Sequence, residues 1–471
     1  MADQLSHWAL ALMLFSALFW SSISAQSDPC PSACGCLGST VDCSDRGLTE
    51  IPQDLPQWVT VLDIQGNQLS YIPPTAFEGF PNLRELNLNR NQLTSVNASV
   101  FSHLPGLQEL NLNRNQLTSV NASVFSHLPG LQELKIGNNM LTAMPKLGLK
   151  TELRVLNLAS NKIDAIDGSV LQDLPALESL DLSMNKLTEI KLGIFENNSA
   201  MQQLTLNNNK IKVLEEHTLD NLAKLEVLKI SRNRLSGLPK DLFRQLKKLK
   251  FLDLSRNRFT EINGLAFKGL DNLITLKLKK NRLKAMADGA FYGLHNIQNL
   301  YLDANNISVV TKKWLYGLNK VQLLSLSHNA ISNISKGSWE CCPMLQQLDL
   351  SSNRLTTIVE DSTFHLLPLL RVLTLTNNQI SYIAGGAFRS MGNLEVLELA
   401  GNEISWTIDM NAAFEGLTSL LRLDLNNNHI KSISTTSFSG LVQLRHLQLV
   451  NNNITSIQED AFADLVSLEQ M

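Results

Sequence analysis

A repeat of 24 residues dominates the chain from about residue 59 onward. Residues 83–93 have the pattern L-x-x-L-x-L-x-x-N-x-L, and residues 107–117 have it again. The asparagine of this pattern recurs seventeen times, with intervals of 24 residues except for 22, 25 and 26 before Asn161, Asn378 and Asn428. Units this short cannot bury an apolar face alone, so they must stack on one another. The asparagines are Asn67, Asn91, Asn115, Asn139, Asn161, Asn185, Asn209, Asn233, Asn257, Asn281, Asn305, Asn329, Asn353, Asn378, Asn402, Asn428 and Asn452.

The alternation L-x-L predicts a short strand with one buried face, and stacked copies predict a parallel sheet. The asparagine follows the strand, where its side chain can satisfy backbone groups of the turn. The pattern is that of leucine-rich repeats. It predicts an α/β repeat fold, a curved solenoid with the parallel sheet on its concave face. Segments similar to A-F-x-G-L predict a stacked core on the return side, formed by Phe77, Phe101, Phe125, Phe195, Phe243, Phe267, Phe291, Phe388, Phe414, Phe438 and Phe462.

The first residues predict entry into the secretory pathway. Residues 8–20 are mostly apolar, and Ser22, Ser24 and Ala25 suit signal peptidase, so a signal peptide is predicted over residues 1–25. The apolar run is shorter than the roughly 20 residues of a membrane span. An uncleaved N-terminal anchor and a cytosolic amphipathic segment are the alternatives. We therefore expect an extracellular or cell-surface location.

Four of the six cysteines, Cys30, Cys34, Cys36 and Cys43, lie in a segment (28–58) that we predict to cap the first repeat. Their spacing alone leaves three disulfide connectivities open, and a zinc site is the rival. The spacing resembles the N-terminal cysteine cap of extracellular leucine-rich repeat proteins. That resemblance implies the pairs Cys30–Cys36 and Cys34–Cys43.

The predicted solenoid covers residues 59–471, with about 17 repeats and the start of an eighteenth. Leu468 and Met471 occupy the first two apolar positions of that last repeat, and no cysteine cap follows. We expect the chain to be either a fragment of a longer protein or a shortened soluble isoform. Residues 85–110 recur identically at 109–134, as a repeat duplication or a sequence error would produce. Insertion of one whole repeat keeps the fold.

Composition gives little support to catalysis or to nucleic-acid binding. The formal net charge is −3, so no global charge attracts a polyanion. The chain has none of the usual motifs of serine hydrolases, zinc proteases, dinucleotide enzymes or phosphate-binding loops, and its nine histidines are scattered. We predict a protein that is not an enzyme, with no metal and no cofactor.

Two kinds of surface residue are candidates for function. The strand region of the middle repeats carries a block of basic residues, which predicts a binding site for a sulfated glycan or for an acidic receptor surface. The alternative is a basic face that is simply solvated. Six N-x-S/T sequons are candidate glycosylation sites. The basic residues are Lys229, Arg232, Arg256, Lys277, Lys279 and Lys280, and the sequon asparagines are Asn97, Asn121, Asn197, Asn306, Asn333 and Asn453.

The adjacent Cys341 and Cys342 align with the glycine and leucine positions of the return segment. We expect Cys342 to be a small core residue, while a vicinal disulfide or an intermolecular link is the alternative.

Several strings in the second half are distinctive. They are WLYGL at 314–318, SWECC at 338–342, SYIAGGAF at 381–388 and NEISWTIDMNAAFEGL at 402–417, together with Trp58 after the cap. They resemble the leucine-rich repeat and immunoglobulin-like domain membrane proteins, over roughly residues 28–471. That family implies a C-terminal cysteine cap, three immunoglobulin-like domains, a membrane span and a cytoplasmic tail, none of which is in this chain. It also implies damping of growth-factor receptors, chiefly receptor tyrosine kinases.

The sequence therefore predicts an extracellular protein-recognition module that regulates growth-factor receptors, with protein partners at the cell surface. Two alternatives stay open. One is a matrix protein that binds glycosaminoglycan, and the other is an adhesion or neuronal-guidance receptor.

Overall fold

A computed structural model describes residues 30–359, 364–405 and 412–471 of the chain. The predicted signal peptide lies outside these residues, as does the Trp406–Asn411 part of the last distinctive string. The chain forms two compact units. The first contains the residues up to Met140 together with Pro145–Leu153, and the second contains Leu141–Met144 and Arg154–Met471.

The first unit begins with a hairpin and continues as a parallel sheet. The two hairpin strands pair antiparallel, and each later strand pairs with the next at a shift of one repeat. Each central residue of the repeat strands is a buried leucine, while its two neighbours face outward. The strands are β1 (Gly35–Leu37), β2 (Thr40–Asp42), β3 (Val61–Asp63), β4 (Glu85–Asn87), β5 (Glu109–Asn111) and β6 (Glu133–Lys135).

The second unit contains thirteen parallel strands of the same kind, each in register with the strand of the next turn. These strands are β7 (Val155–Asn157), β8 (Ser179–Asp181), β10 (Gln203–Thr205), β12 (Val227–Lys229), β13 (Phe251–Asp253), β15 (Thr275–Lys277), β17 (Asn299–Tyr301), β19 (Leu323–Ser325), β21 (Gln347–Asp349), β23 (Val372–Thr374), β25 (Val396–Glu398), β26 (Arg422–Asp424) and β28 (His446–Gln448).

On the return side of the turns, the elements of the described residues are all short. Five parallel pairs of two-residue strands each join two successive turns: β9 (Glu189–Ile190) with β11 (Val213–Leu214), β14 (Glu261–Ile262) with β16 (Ala285–Met286), β18 (Val309–Val310) with β20 (Asn333–Ile334), β22 (Thr357–Ile358) with β24 (Tyr382–Ile383), and β27 (Ser432–Ile433) with β29 (Ser456–Ile457). The described helices are α1 (Gly168–Gln172), α2 (Lys312–Leu315) and the 3-10 turns Ala122–Val124 and Ser338–Cys341.

The repeated asparagine connects the turns, as predicted. In a representative turn, Asn257 Nδ2 donates to the carbonyl oxygens of Ile230 and Leu254 at 2.9 and 3.0 Å. Its Oδ1 accepts the backbone N–H of Leu235 at 3.1 Å. All seventeen asparagines donate to backbone carbonyls in this manner, so a single side chain satisfies groups of two turns. We call this array the asparagine ladder.

Leucines and stacked phenylalanines form the core, which confirms the predicted roles. Neighbouring rings lie about one turn apart, with centroids of Phe267 and Phe291 separated by 5.9 Å. Ten of the eleven predicted phenylalanines are buried, and Phe462 is half-buried against Phe438. Trp314 takes the alanine position of the A-F-x-G-L segment in its own turn, one residue before Leu315 at the phenylalanine position, and its ring meets Phe291 edge to face.

In the 22-residue repeat, one position of the apolar core is occupied by a lysine. Lys150 stands in the position that Leu128 and Leu174 fill in neighbouring repeats, and only 4% of it is exposed. Burial lowers the pKa of its ammonium group, because the charged form loses hydration there.

Four of the cysteines lie in the N-terminal cap, and the other two, Cys341 and Cys342, lie on the return side of a later turn. The cap contains the disulfides Cys30–Cys36 and Cys34–Cys43, the pairing that the resemblance implies. Cys341 and Cys342 are both unpaired thiols; Cys341 is half-buried and Cys342 is fully buried. Cys342 is therefore a core residue, and burial raises the pKa of its thiol strongly.

Replacement of one ladder asparagine should destabilise its turn. Asn257→Ala removes the acceptor of the buried Leu235 amide and one donor from each of the Ile230 and Leu254 carbonyls, so we expect the free energy of unfolding to fall by about 1–3 kcal/mol. Hydrogen exchange at the Leu235 amide should accelerate at least tenfold, because its acceptor is gone. The control is Asn272→Ala, whose exposed side chain donates only to the Lys247 carbonyl. Equal effects of the two variants on urea unfolding would contradict the role of the ladder.

Candidate functional site

The structure divides the predicted basic block into two places on the second unit. Lys229 and Lys277 lie on strands β12 and β15, with Lys279 two residues after β15. Arg232, Arg256 and Lys280 instead lie beyond the strands, in turns where each backbone has a positive φ of 54–55°. The block therefore does not form one continuous basic sheet face.

On the sheet, Lys277 is held by aromatic rings. Its Nζ lies 5.0 Å from the ring centroid of Phe251 on β13 and 5.7 Å from that of Tyr301 on β17. Both rings are half-buried, and β15 lies between their strands. The rings attract the ammonium group through their negative faces, an interaction worth about 0.5–2 kcal/mol. Among the described residues Lys277 has no carboxylate partner, so its charge is available to a ligand.

The ammonium group of Lys279, unlike that of Lys277, has a carboxylate partner in addition to an aromatic ring. Its Nζ lies 4.2 Å from the Tyr301 ring centroid and 3.2 Å from Asp303 Oδ2. The other oxygen of Asp303 accepts from the hydroxyls of Ser325 and Ser327. This network fixes Lys279 and neutralises much of its charge, so Lys279 orients Tyr301 more than it attracts an anion. We call Phe251, Lys277, Lys279, Tyr301 and Asp303 the aromatic–lysine cluster.

Acidic residues interrupt the positive charge along the strands. Asp253 stands in register between Lys229 and Lys277, one strand from each. Its Oδ1 accepts the backbone N–H of Ser255 at 2.9 Å, which holds the carboxylate at the end of the strand. A ligand on this face therefore meets a local positive charge beside two rings, with carboxylates on both sides.

The sheet of the first unit carries the opposite charge. Glu85, Glu109 and Glu133 stand in register on three successive strands and line a shallow cavity of about 210 Å³. Burial raises the pKa of Glu109, and repulsion from Glu133 and Glu85 raises it further, while Lys135 opposes the shift. Sequence reasoning missed this acidic column, although the identical repeats place Glu85 and Glu109 in equivalent positions.

All six sequon asparagines are exposed, and none lies on a strand of either main sheet. Asn97 and Asn121 each accept a hydrogen bond from the backbone N–H two residues later, in loops of the return side. Asn333 belongs to the return strand β20, whereas Asn306 directly follows the ladder residue Asn305. The sheet faces are therefore free of candidate glycans.

Within the described ranges, no group of acidic, histidine or cysteine side chains is arranged to hold a metal ion. In the same part of the chain, every helix is too short or too polar to cross a bilayer. Sequence reasoning did not pair Lys277 with Phe251 and Tyr301. The signal was present, because the three residues occupy outward strand positions of successive repeats.

Comparison with known proteins agrees with this architecture. The family model "Leucine rich repeat" matches residues 58–117, 105–147, 151–211, 199–259, 252–307, 295–355, 356–404 and 418–471. The model "Leucine rich repeat N-terminal domain" matches residues 29–56. A capped solenoid with an open sheet face defines a protein-binding module of the ectodomain type, a fold typical of non-enzymatic interaction proteins. The chain belongs to the leucine-rich repeat family.

Similarity to individual relatives covers short segments. Human leucine-rich repeats and immunoglobulin-like domains protein 1 is 49% identical over 61 residues, which are 13% of this chain and 6% of that protein. Mouse chondroadherin-like protein is 39% identical over 90 residues, which are 18% of this chain and 12% of that protein. The matched segments thus span well under two thirds of these relatives.

Solved structures share the fold over most of the chain. A leucine-rich repeat protein of Leptospira interrogans has a TM-score of 0.66 and 28% identity, covering 86% of this chain and 94% of that one. Toll, in the Drosophila Toll–Spatzle complex, has a TM-score of 0.70 and 22% identity, covering 85% of this chain and 51% of that one. At this identity, the second likeness concerns the fold alone.

The acidic column predicts a pH-dependent stability. The pKa of Glu109 is higher in the folded chain than in the unfolded one, so the folded state loses stability as pH rises above about 4.5. Glu109→Gln should therefore stabilise the chain by a few tenths of a kcal/mol at pH 7, and the gain should vanish near pH 4. Thermal unfolding at both pH values measures this. Glu50→Gln, at an exposed position away from the column, is the control; a gain that persists at pH 4 would contradict the explanation.

Proposed function

We propose that this chain recognises protein partners outside the cell through the sheet face of its second unit, centred on the aromatic–lysine cluster. The observation that carries the proposal is the position of Lys277 between Phe251 and Tyr301. Protein interfaces concentrate their binding energy in a few aromatic and basic residues, surrounded by polar groups that exclude water. This cluster has that composition, and its strands hold it rigidly, so little conformational entropy is lost on binding.

The charge pattern favours a protein partner over an extended sulfated glycan at this face. Asp253 and Asp303 flank the lysines, so a polyanion that crosses several strands would meet repulsive carboxylates. A protein surface can instead place one acidic group on Lys277 and apolar atoms on the two rings. Electrostatic complementarity of this local kind selects the partner more than it adds affinity.

We further propose that the chain enters the secretory pathway through residues 1–25 and carries N-linked glycans on its exposed sequons. The disulfide-bonded cap, typical of oxidising compartments, supports this location. Residues 28–58 then act as the cap of the solenoid at 59–471. Glycans at the six sequons would cover the return side and the turn edges while leaving the sheet faces open.

Glycan occupancy can be measured directly. After secretion from mammalian cells and release of glycans by peptide N-glycosidase in heavy-oxygen water, mass spectrometry should find converted asparagines at most of the six sequons. Asn272 is exposed but is not part of a sequon, so it should remain unmodified. Absence of conversion at every sequon would refute the glycosylation proposal, and failure of the cells to secrete the chain would refute the secretion proposal.

The finer proposal is that the recognised partners are growth-factor receptors, chiefly receptor tyrosine kinases, whose signalling the bound chain damps. Similarity to leucine-rich repeats and immunoglobulin-like domains proteins 1 and 3 supports it, over segments of 61 to 65 residues. Those segments are 6% of the length of each relative.

The test is binding of the secreted full chain to a panel of immobilised receptor tyrosine kinase ectodomains. We expect at least one ectodomain to bind, and Tyr301→Ala or Lys277→Ala to weaken that binding about tenfold or more, as removal of a central anchor does. The matched control is Tyr316→Ala, an exposed tyrosine on the return side.

Two results would overturn the proposal. Equal losses for Tyr301→Ala and Tyr316→Ala would exclude the sheet face as the binding site. Failure of every ectodomain to bind, with aggregation of cells that display the chain, would favour adhesion over receptor regulation.

A further inference from the structure

A second charged surface lies on the second unit, at the edge where each strand turns. It consists of the residues directly before and after the ladder asparagine in six successive turns, and we call it the basic edge. Nine of its twelve residues are lysine or arginine and none is acidic. The residues are Ser160, Lys162, Met184, Lys186, Asn208, Lys210, Arg232, Arg234, Arg256, Arg258, Lys280 and Arg282.

The backbone arranges these residues in two columns: the residues directly before the ladder asparagines form the first column, and those directly after them form the second. In the first column, the amide of Arg232 donates to the carbonyl of Ser255 in the next turn at 2.8 Å, and Arg256 repeats this contact with Lys279 at 2.7 Å. In the second column, the amide of Arg258 donates to the carbonyl of Leu235 in the preceding turn at 2.7 Å. Successive cations are therefore one turn apart, and the six turns span about 24 Å at the spacing of a sheet.

The charges of the basic edge are not compensated. Within the described part of the chain, none of the nine cationic side chains forms an ion pair or a hydrogen bond. Eight of them are exposed and Arg234 is half-buried. Elsewhere on the same unit, cations one turn from an acid pair with it: Arg154 with Glu178 at 2.9 Å, and Lys250 with Glu226 at 2.8 Å. Among the described residues, the nine cations of the basic edge have no such partner.

The first column also has a conformational cost. Its residues adopt the left-handed conformation, with φ of 54–55° at Arg232, Arg256 and Lys280. Other turns place various residue types at this position in the same conformation, for example Arg90 and Ala304. A side chain such as arginine costs about 1 kcal/mol more than glycine in this conformation. The fold therefore imposes this conformation whatever the residue type, and the arginine and lysine side chains of the first column are exposed to solvent.

We propose that the basic edge binds a sulfated glycosaminoglycan chain, at a site separate from the protein-recognition face. A linear polyanion with permanently ionised groups on successive sugars matches exposed cations that recur at each turn. A protein partner fits less well, since the basic edge has no aromatic anchor and no cavity of the kind that interfaces use. Binding of this type is dominated by charge and is strongly weakened by salt.

The basic edge ends at a defined turn of the chain. In the turn after Arg282, the second column reaches the sequon residue Asn306, and the first column reaches Ala304. The site therefore covers the turns from Lys162 to Arg282 and does not extend over the whole edge.

The test is binding of the secreted full chain to immobilised heparin over a series of salt concentrations. Arg234→Gln, Arg258→Gln and Arg282→Gln are combined in one variant. We expect it to bind about tenfold more weakly than the unaltered chain, with a shallower salt dependence. The control combines Lys224→Gln, Lys248→Gln and Lys268→Gln, three exposed lysines outside the basic edge. It changes the net charge by the same amount and should bind almost normally.

Three outcomes would overturn the proposal. The first is equal weakening by the two triple variants, which would mean that net charge alone drives retention. The second is loss of heparin binding in a Lys277→Gln, Lys279→Gln variant instead, which would move the site to the sheet. The third is that poly-glutamate of matched charge binds as tightly as heparin, which would indicate an acidic protein partner. Circular dichroism checks that each variant is folded. The receptor-binding test above uses other residues, so either proposal can fail alone.

Discussion

The hydrogen bonds of the asparagine ladder are the interaction on which the rest of the structure depends. Each ladder side chain satisfies backbone groups of its own turn and of a neighbouring turn, in a place that water does not reach. Because the turns are locked at one fixed spacing, the outward positions of successive strands fall into columns. The aromatic–lysine cluster, the acidic column and the basic edge all follow from this register.

The columns give the sheet face and the turn edge different chemistry, and the electrostatic repulsion that results is small. On the sheet, Lys279 and Asp303 compensate each other, and two rings hold Lys277, so the face combines apolar area with a local charge. On the turn edge, cations accumulate without partners, since like charges in water repel by less than about 1 kcal/mol per pair. One scaffold can therefore present a protein-binding face and a polyanion-binding edge that act independently.

The candidate site shows where sequence reasoning was incomplete. The sequence placed Lys229, Arg232, Arg256, Lys277, Lys279 and Lys280 in one basic block, because they follow one another at repeat spacing. The structure separates them, since the chain turns between Lys277 and Lys280. Contacts made through space, such as the Lys277 ammonium beside the Phe251 and Tyr301 rings, depend on side-chain direction across strands, which periodicity alone does not give.

The sequence by itself determined the repeat fold, the strand and ladder positions and the phenylalanine core, because each is set by a short pattern repeated at fixed intervals. It also indicated Cys342 as a core residue. Only the tertiary structure decided which charges are paired, that Lys150 is buried at a leucine position, and that Glu109 titrates above its usual range. These properties depend on the distance to neighbours in adjacent turns and on access to water, and both arise only when the turns stack.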